Sequence, residues 1–143
     1  MDKNHVSKNT IEIGADPSSV WKVLTDPEEA KKYYFGAEVV TSWKEGESIV
    51  FKGSYNGNDY EEKGTLLSVK PNLRLQYTHW SNLENLPDLP ENYRIWTFDL
   101  QEDGKNTQLT VTEDNIPTLQ QKERSDEFWK DVLQKIKALS NAI

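Results

Sequence analysis

Two side chains in this sequence have types and positions suited to chemistry. On "TQLTVTED" (107–114), Leu109 and Val111 recur at period two, and the same alternation puts Glu113 on their face. A carboxylate carried into an apolar layer loses its hydration, and unless it is paired its pKa rises. Glu113 is therefore a candidate anchor for a ligand's polar group, or an acid/base in a cyclase- or dehydratase-like reaction. The other reading places it at a strand end, reaching water or a nearby Lys or Arg. His79 poses the same choice. On "LRLQYTHW" (73–80) it shares a face with Leu73, Leu75 and Tyr77, and it either points into a site or is satisfied by neighbouring backbone.

Other catalytic machinery is thin. His5, in a polar leader, is the second of two histidines, and there is no cysteine, so disulfides and thiolate metal sites are excluded. No HExxH, EF-hand, GxSxG, P-loop or GxGxxG spacing occurs. No metal, cofactor or nucleophile is expected, and the residues favour a binder over an enzyme. The net charge of −7 opposes nucleic acid and anionic lipid surfaces, which both demand a positive field. The 143 residues fit one domain, 1–143, with 35% hydrophobic and 29% charged residues in the globular range. No stretch approaches the roughly 18 apolar residues of a spanning helix. The opening "MDKNHVSKN" lacks the apolar run of a secretory signal, so a cytoplasmic location without membrane insertion is expected.

The elements that must position these side chains are legible in outline. Residues 6–13 alternate as a first strand. In "DPSSVWKVLTDPEEAKKYY" (16–34), Asp16 can cap a helix with Pro17 at its first position, and Val20, Trp21 and Leu24 form an apolar stripe. Asp26-Pro27 repeats the device, with Glu29 as a capping-box partner. From about Val39 to Asn115 the period becomes two. Strands are predicted over 48–55, 60–69, 73–80, 93–101 and 107–114, with a weaker one over 37–43. Glu45-Gly46, Asn56-Gly57, Lys70-Pro71-Asn72 and Asp103-Gly104 separate them as turns. One connection, "SNLENLPDLPEN" (81–92), is long. The segment from Thr118 to about Asn141 reads as one helix with Phe128, Trp129, Val132, Leu133, Ile136 and Leu139 on one face. It would extend about 35 Å at 1.5 Å per residue.

A curved antiparallel sheet of six to seven strands must cover its apolar face, and only the terminal helix is long enough to do so. Fatty-acid-binding barrels share the two early helices but have no such terminal helix. The expectation is an α+β helix-grip fold, with the sheet wrapped around the helix. The order of elements and the stretches "IEIGADPSSVWKVLTDPE" (11–28), "GTLLSVKPNLRLQYTHW" (64–80), "TQLTVTEDN" (107–115) and Trp129 followed by Leu133 resemble the START-like (birch-pollen-allergen-like, SRPBCC) superfamily. Within it the chain is similar to the AHSA-type branch, named for the activator of heat shock protein 90 ATPase. The departures are Phe128, where the family commonly has glycine, Glu113, where many members have histidine, and the long 81–92 loop. The co-chaperone that names the family carries a further N-terminal domain, and a stand-alone single-domain member without it is expected here.

The resemblance implies an apolar cavity between sheet and terminal helix that takes a lipid-like or an aromatic, polyketide- or flavonoid-like molecule, in a stress-related role. The strand candidates for its lining are Trp43, Phe51, Tyr77, His79, Trp96, Phe98, Val111 and Glu113, and the helix candidates are Trp129 and Leu133. Leu83, Leu86 and Leu89 would sit on a lid formed by the 81–92 loop. Two other readings stay open. One is a protein-interaction, co-chaperone-like module. The other is the cyclase- or dehydratase-like enzyme using Glu113 or His79.

Overall fold

Aspartate and proline open both early helices, as the local chemistry dictates, in the computed structural model, which describes residues 4–143. Met1, Asp2 and Lys3, the start of the polar leader, lie outside the described residues. After strand β1 (His5–Ile13), Asp16 accepts the Ser19 N–H at 2.9 Å and Pro17 begins helix α1 (Pro17–Thr25). Asp26 ends α1 and caps α2 (Pro27–Tyr33), accepting the Glu28 N–H at 3.0 Å. The expected capping box is not closed by Glu29. Its carboxylate turns to Lys32 on the helix surface, 3.4 Å away. The buried face of α1 is Val20, Val23 and Leu24, while Trp21 is only half-buried against the core.

Six further strands follow: β2 (Glu38–Thr41), β3 (Ser48–Tyr55), β4 (Asn58–Lys70), β5 (Arg74–Ser81), β6 (Arg94–Asp103) and β7 (Asn106–Ile116). They form one antiparallel sheet in the order β1-β7-β6-β5-β4-β3-β2. The first two strands are thus its opposite edges, and α1 with α2 carries the chain between them. Asn56 and Gly57 both have positive φ, 52° and 81°, as the tight β3–β4 hairpin requires. Leu73, expected on the inward face, falls instead in the β4–β5 turn and is 62% exposed. It contributes only backbone there, bonding Lys70 and Leu100.

Helix α3 (Leu119–Asn141) buries Trp129, Val132, Leu133 and Ile136 and packs on β1, β7, α1 and α2. Its first half is also tied to β1, since Asp126 accepts the buried Ser7 hydroxyl at 2.5 Å. The inward strand residues are Ile49 and Phe51 on β3, Leu66 on β4, Leu75 and Tyr77 on β5, Trp96, Phe98 and Leu100 on β6, and Leu109 and Val111 on β7. This is the helix-grip arrangement. Among the described residues no helix is long and apolar enough to cross a membrane.

One backbone approach is unusually tight. A methyl group at Gly64 on β4 would fall well inside van der Waals contact with the Thr78 carbonyl oxygen on β5. Only a residue without Cβ fits there, just before the bulge between Leu66 and Ser68. Gly64→Ala is expected to cost about 3 kcal/mol, at the upper end for overpacking, because backbone must move. Urea denaturation checks this, and a loss under about 1 kcal/mol would show that the strands separate freely.

Candidate functional site

Period two and strand register bring the polar candidates together. Tyr77 is opposite Trp96, and Trp96 opposite Glu113, so one row crosses β5, β6 and β7. One step along, His79 faces Arg94. Glu113, only 2% exposed, accepts from Arg94 Nη1 at 2.9 Å through Oε2 and from the Trp129 indole N–H at 2.8 Å through Oε1. The other arm of the Arg94 guanidinium donates to Glu84 at 3.1 Å, and Gln121 on α3 donates to the same Glu84 oxygen at 3.3 Å. One buried cation thereby joins β6, β7, α3 and the 81–92 loop. With a donor on each oxygen, Glu113 is an anchored anion rather than an unpaired carboxylate.

His79 is held separately. Its Nε2 is 3.0 Å from Glu62 Oε1, and its ring stacks on Trp96 at 3.8 Å with the planes 15° apart. Burial pushes the Glu62 carboxyl up, but the hydrogen bond and charge of His79, the Ser81 hydroxyl and Arg94 outweigh it and hold the group below its ordinary value. Glu62 is therefore ionised at neutral pH. Trp96 is fixed by ring packing alone, since its buried indole nitrogen has no hydrogen-bond partner. It meets Trp129 edge-on at 4.8 Å.

Glu62, His79, Glu84, Arg94 and Glu113 line a cavity of about 640 Å³ between the sheet and the first half of α3. That size lies within the range of small-molecule sites. The apolar part of the same lining is Tyr34, Phe35, Phe51, Trp96, Phe128 and Leu83, and it meets the polar part where Phe51 and Trp96 contact His79. Tyr34 and Phe128 are parallel with centroids 6.5 Å apart, and Phe35 leans on Phe128 at 6.0 Å. Phe35 is 56% exposed at φ 55°, a conformation that bulky residues seldom adopt, so the chain holds an apolar ring at the mouth at some backbone cost. At the inner end the Tyr34 and Tyr77 hydroxyls bond each other at 3.0 Å. Burial raises both phenols well above their ordinary pKa, so this partition is uncharged.

The sequence candidates fall into three groups. Phe51, His79, Trp96 and Glu113 line the cavity. Trp43, Tyr77 and Phe98 line, with Phe51, a separate void of about 10 Å³ behind the tyrosine partition, room for about one water at most. Val111, Trp129 and Leu133 are core, Trp129 supporting the site from behind through its N–H to Glu113 and its ring contacts with Trp96 and Phe128. In the loop, Leu83 lines the cavity, half-buried Leu86 accepts the Trp80 indole N–H at 3.2 Å, and exposed Leu89 lies outside the lining. Arg94, Glu62 and Tyr60 carried a readable signal, because each shares parity with inward neighbours on its strand. Arg124 carried a weaker one, standing one helical turn before Phe128, and Glu84 carried none, since only the tertiary fold brings it to the cavity. Among the described residues no group of three or more His, Asp or Glu side chains is placed to hold a metal ion.

Residues 14–141 match the family described as Activator of Hsp90 ATPase homolog 1-like protein. The solution structure of ChR145 from Cytophaga hutchinsonii is 39% identical, with a TM-score of 0.83 over 96% of this chain and 94% of that one. Protein CV1439 from Chromobacterium violaceum superposes with a TM-score of 0.79 at 21% identity over 99% of both chains. For protein MLL2253 from Mesorhizobium loti the values are 0.77 and 17%, over 94% of this chain and 96% of that one. The last two show the fold alone. The comparison with curated proteins gives no match.

Truncating Glu113 leaves Arg94 and the Trp129 N–H underpaired in the interior. Glu113→Ala is expected to cost about 3–5 kcal/mol, and Glu113→Gln less, because the amide oxygen still accepts from Trp129. Pairing Glu113→Leu with Arg94→Met should recover part of the loss, since the two charges leave together. Strictly additive losses in denaturant melts would contradict a coupled pair.

Proposed function

The chain belongs to the Activator of Hsp90 ATPase homolog 1-like family, and we propose that it binds an apolar or aromatic small molecule in the cavity between sheet and α3. The observation that carries this is a volume of about 640 Å³ lined by aromatic rings together with fixed charged groups. Such walls suit a flat or elongated amphipathic ligand, with burial supplying affinity and the polar groups orientation. The ligand class is lipid-like or polyketide/flavonoid-like, and the cytoplasmic location and stress-related role belong to the same proposal. The enzymatic alternative rests on His79, oriented by ionised Glu62 beside the cavity, rather than on Glu113. The protein-interaction alternative would gain if the cavity took no small molecule.

An amide NMR titration against fatty acids, sterol-like compounds and flavonoid-like aromatics tests the reading. Saturable shifts should concentrate on Phe51, His79, Trp96 and α3 near Phe128. Phe128→Ala should weaken the tightest ligand about tenfold, in line with loss of one stacked ring and its buried area. A silent spectrum across the panel, with the protein folded, rejects small-molecule binding.

The proposed lid is the part of the loop that reaches the cavity lining, residues 82–86, and opening it must release Glu84 from Arg94 and the Leu86 carbonyl from Trp80. Its neighbours 87–92 are pinned: Asp88 pairs with Lys63 at 2.5 Å, Asn92 donates to the Pro87 carbonyl at 2.9 Å, and Asn115 donates to the Glu91 carbonyl at 2.8 Å. Ligand should slow hydrogen exchange over 82–86 and leave 87–92 unchanged. Equal exchange with and without ligand would make the loop a fixed wall instead.

A further inference from the structure

The charges around the cavity are not equally satisfied. Arg94 is held by Glu84 and Glu113, and Glu62 by His79. Every lining carboxylate thus has a donor, and a cationic ligand would have to displace one. Arg124 on α3 is the exception: it lines the same cavity, is exposed, and among the described residues has no hydrogen bond or ion pair. Of the other cations on the helix, Lys137 is likewise unpaired among the described residues but lies away from the cavity lining, and three are paired. Lys122 pairs with Asp126 at 2.7 Å, Lys130 with Glu127 at 3.6 Å and Lys135 with Asp131 at 3.0 Å, each about one turn away. In a chain with a net charge of −7, a cation left unpaired at a cavity mouth stands out.

We propose that the cavity's ligand is a monoanion: an apolar or aromatic body whose carboxylate pairs with Arg124 at the mouth while the body enters among the rings. This deepens the binding proposed above and rests on it. The guanidinium presents parallel N–H donors that match a carboxylate bidentately. Because Arg124 is exposed, the carboxylate keeps part of its hydration and avoids the cost of deep burial. The apolar body lies toward Phe128, one helical turn further along the same face. Polarity along the helix therefore sets the ligand's direction, charged end outward and rings inward.

The test compares biphenyl-4-carboxylate with its neutral isostere biphenyl-4-carboxamide by isothermal titration calorimetry at low salt. Three proteins are used: the unaltered chain, Arg124→Gln, and Arg74→Gln as a control. Arg74, paired with Asp99 at 2.7 Å outside the cavity, removes the same net charge elsewhere. The unaltered chain should bind the carboxylate about fivefold more tightly than the amide, as a partly exposed charge-assisted pair allows. That preference should fall below about twofold in Arg124→Gln, chiefly through lost carboxylate affinity, persist in Arg74→Gln, and shrink as salt screens it. Equal affinities in the unaltered chain, or a preference that survives Arg124→Gln, overturn the anion inference and leave cavity binding standing. If neither biphenyl binds the folded protein, the anion inference falls, while cavity binding stands or falls on the wider NMR panel.

Discussion

The structure turns on one buried charge. Arg94 enters the interior at the first residue of β6, and an arginine there is tolerable only if its donors meet anions. Glu113 on the neighbouring strand and Glu84 on the long loop supply them, and the Trp129 indole completes Glu113 from the helix side. Four separate parts of the chain must be in register for that to happen. Such a cluster adds little net stability over an apolar core, but it penalises every arrangement in which one member is missing. It thus specifies how α3 and the loop sit over the sheet.

The cavity follows from the same requirement. Where α3 meets Val111, Phe98 and the α1 residues, side chains interdigitate and the interior is filled. Toward its N-terminal half the helix faces the Arg94 cluster, whose polar groups cannot be packed over with aliphatic side chains. Gln121, Ser125 and Phe128 stand on that stretch, and the space opens between them and the inward faces of β3 to β6. The hydroxyl pair of Tyr34 and Tyr77 divides the open end from the closed one. Rings and charged groups thus share one space, and they meet where Trp96 stacks on His79.

Much of this was legible in the sequence, for reasons that can be named. The paired Asp-Pro devices, the change to period two and the apolar stripe of the last helix are local signals, and the elements they predict are present. Local signals fail where tertiary geometry decides. Leu73 matches the alternation but lies in a turn fixed by Pro71 and Asn72. Tyr77 and Phe98 are on the correct face, yet parity reports a side of the sheet and not a depth, so they line the closed void. Trp43, expected on a strand over 37–43, lies past the end of β2 at Thr41 with φ 60° and reaches that void from a connection. Arg94 shares parity with Trp96 and Phe98, and its charge disguises it as a strand end. Glu84 has no periodic signature at all, and Arg124, although one helical turn before Phe128 on the same face, acquires meaning only when the helix folds against the sheet.

The central claim is that small molecules enter the space between the rings of Phe51, Trp96 and Phe128. Isotope-filtered NOE spectroscopy of the folded protein with bound biphenyl-4-carboxamide tests it directly, because NOEs require proximity and ignore indirect effects. The account predicts NOEs from the biphenyl protons to those three rings and none to Trp43 or Phe98 behind the tyrosine partition. NOEs confined to exposed surface side chains such as Val40, Leu67 or Leu73 would contradict it.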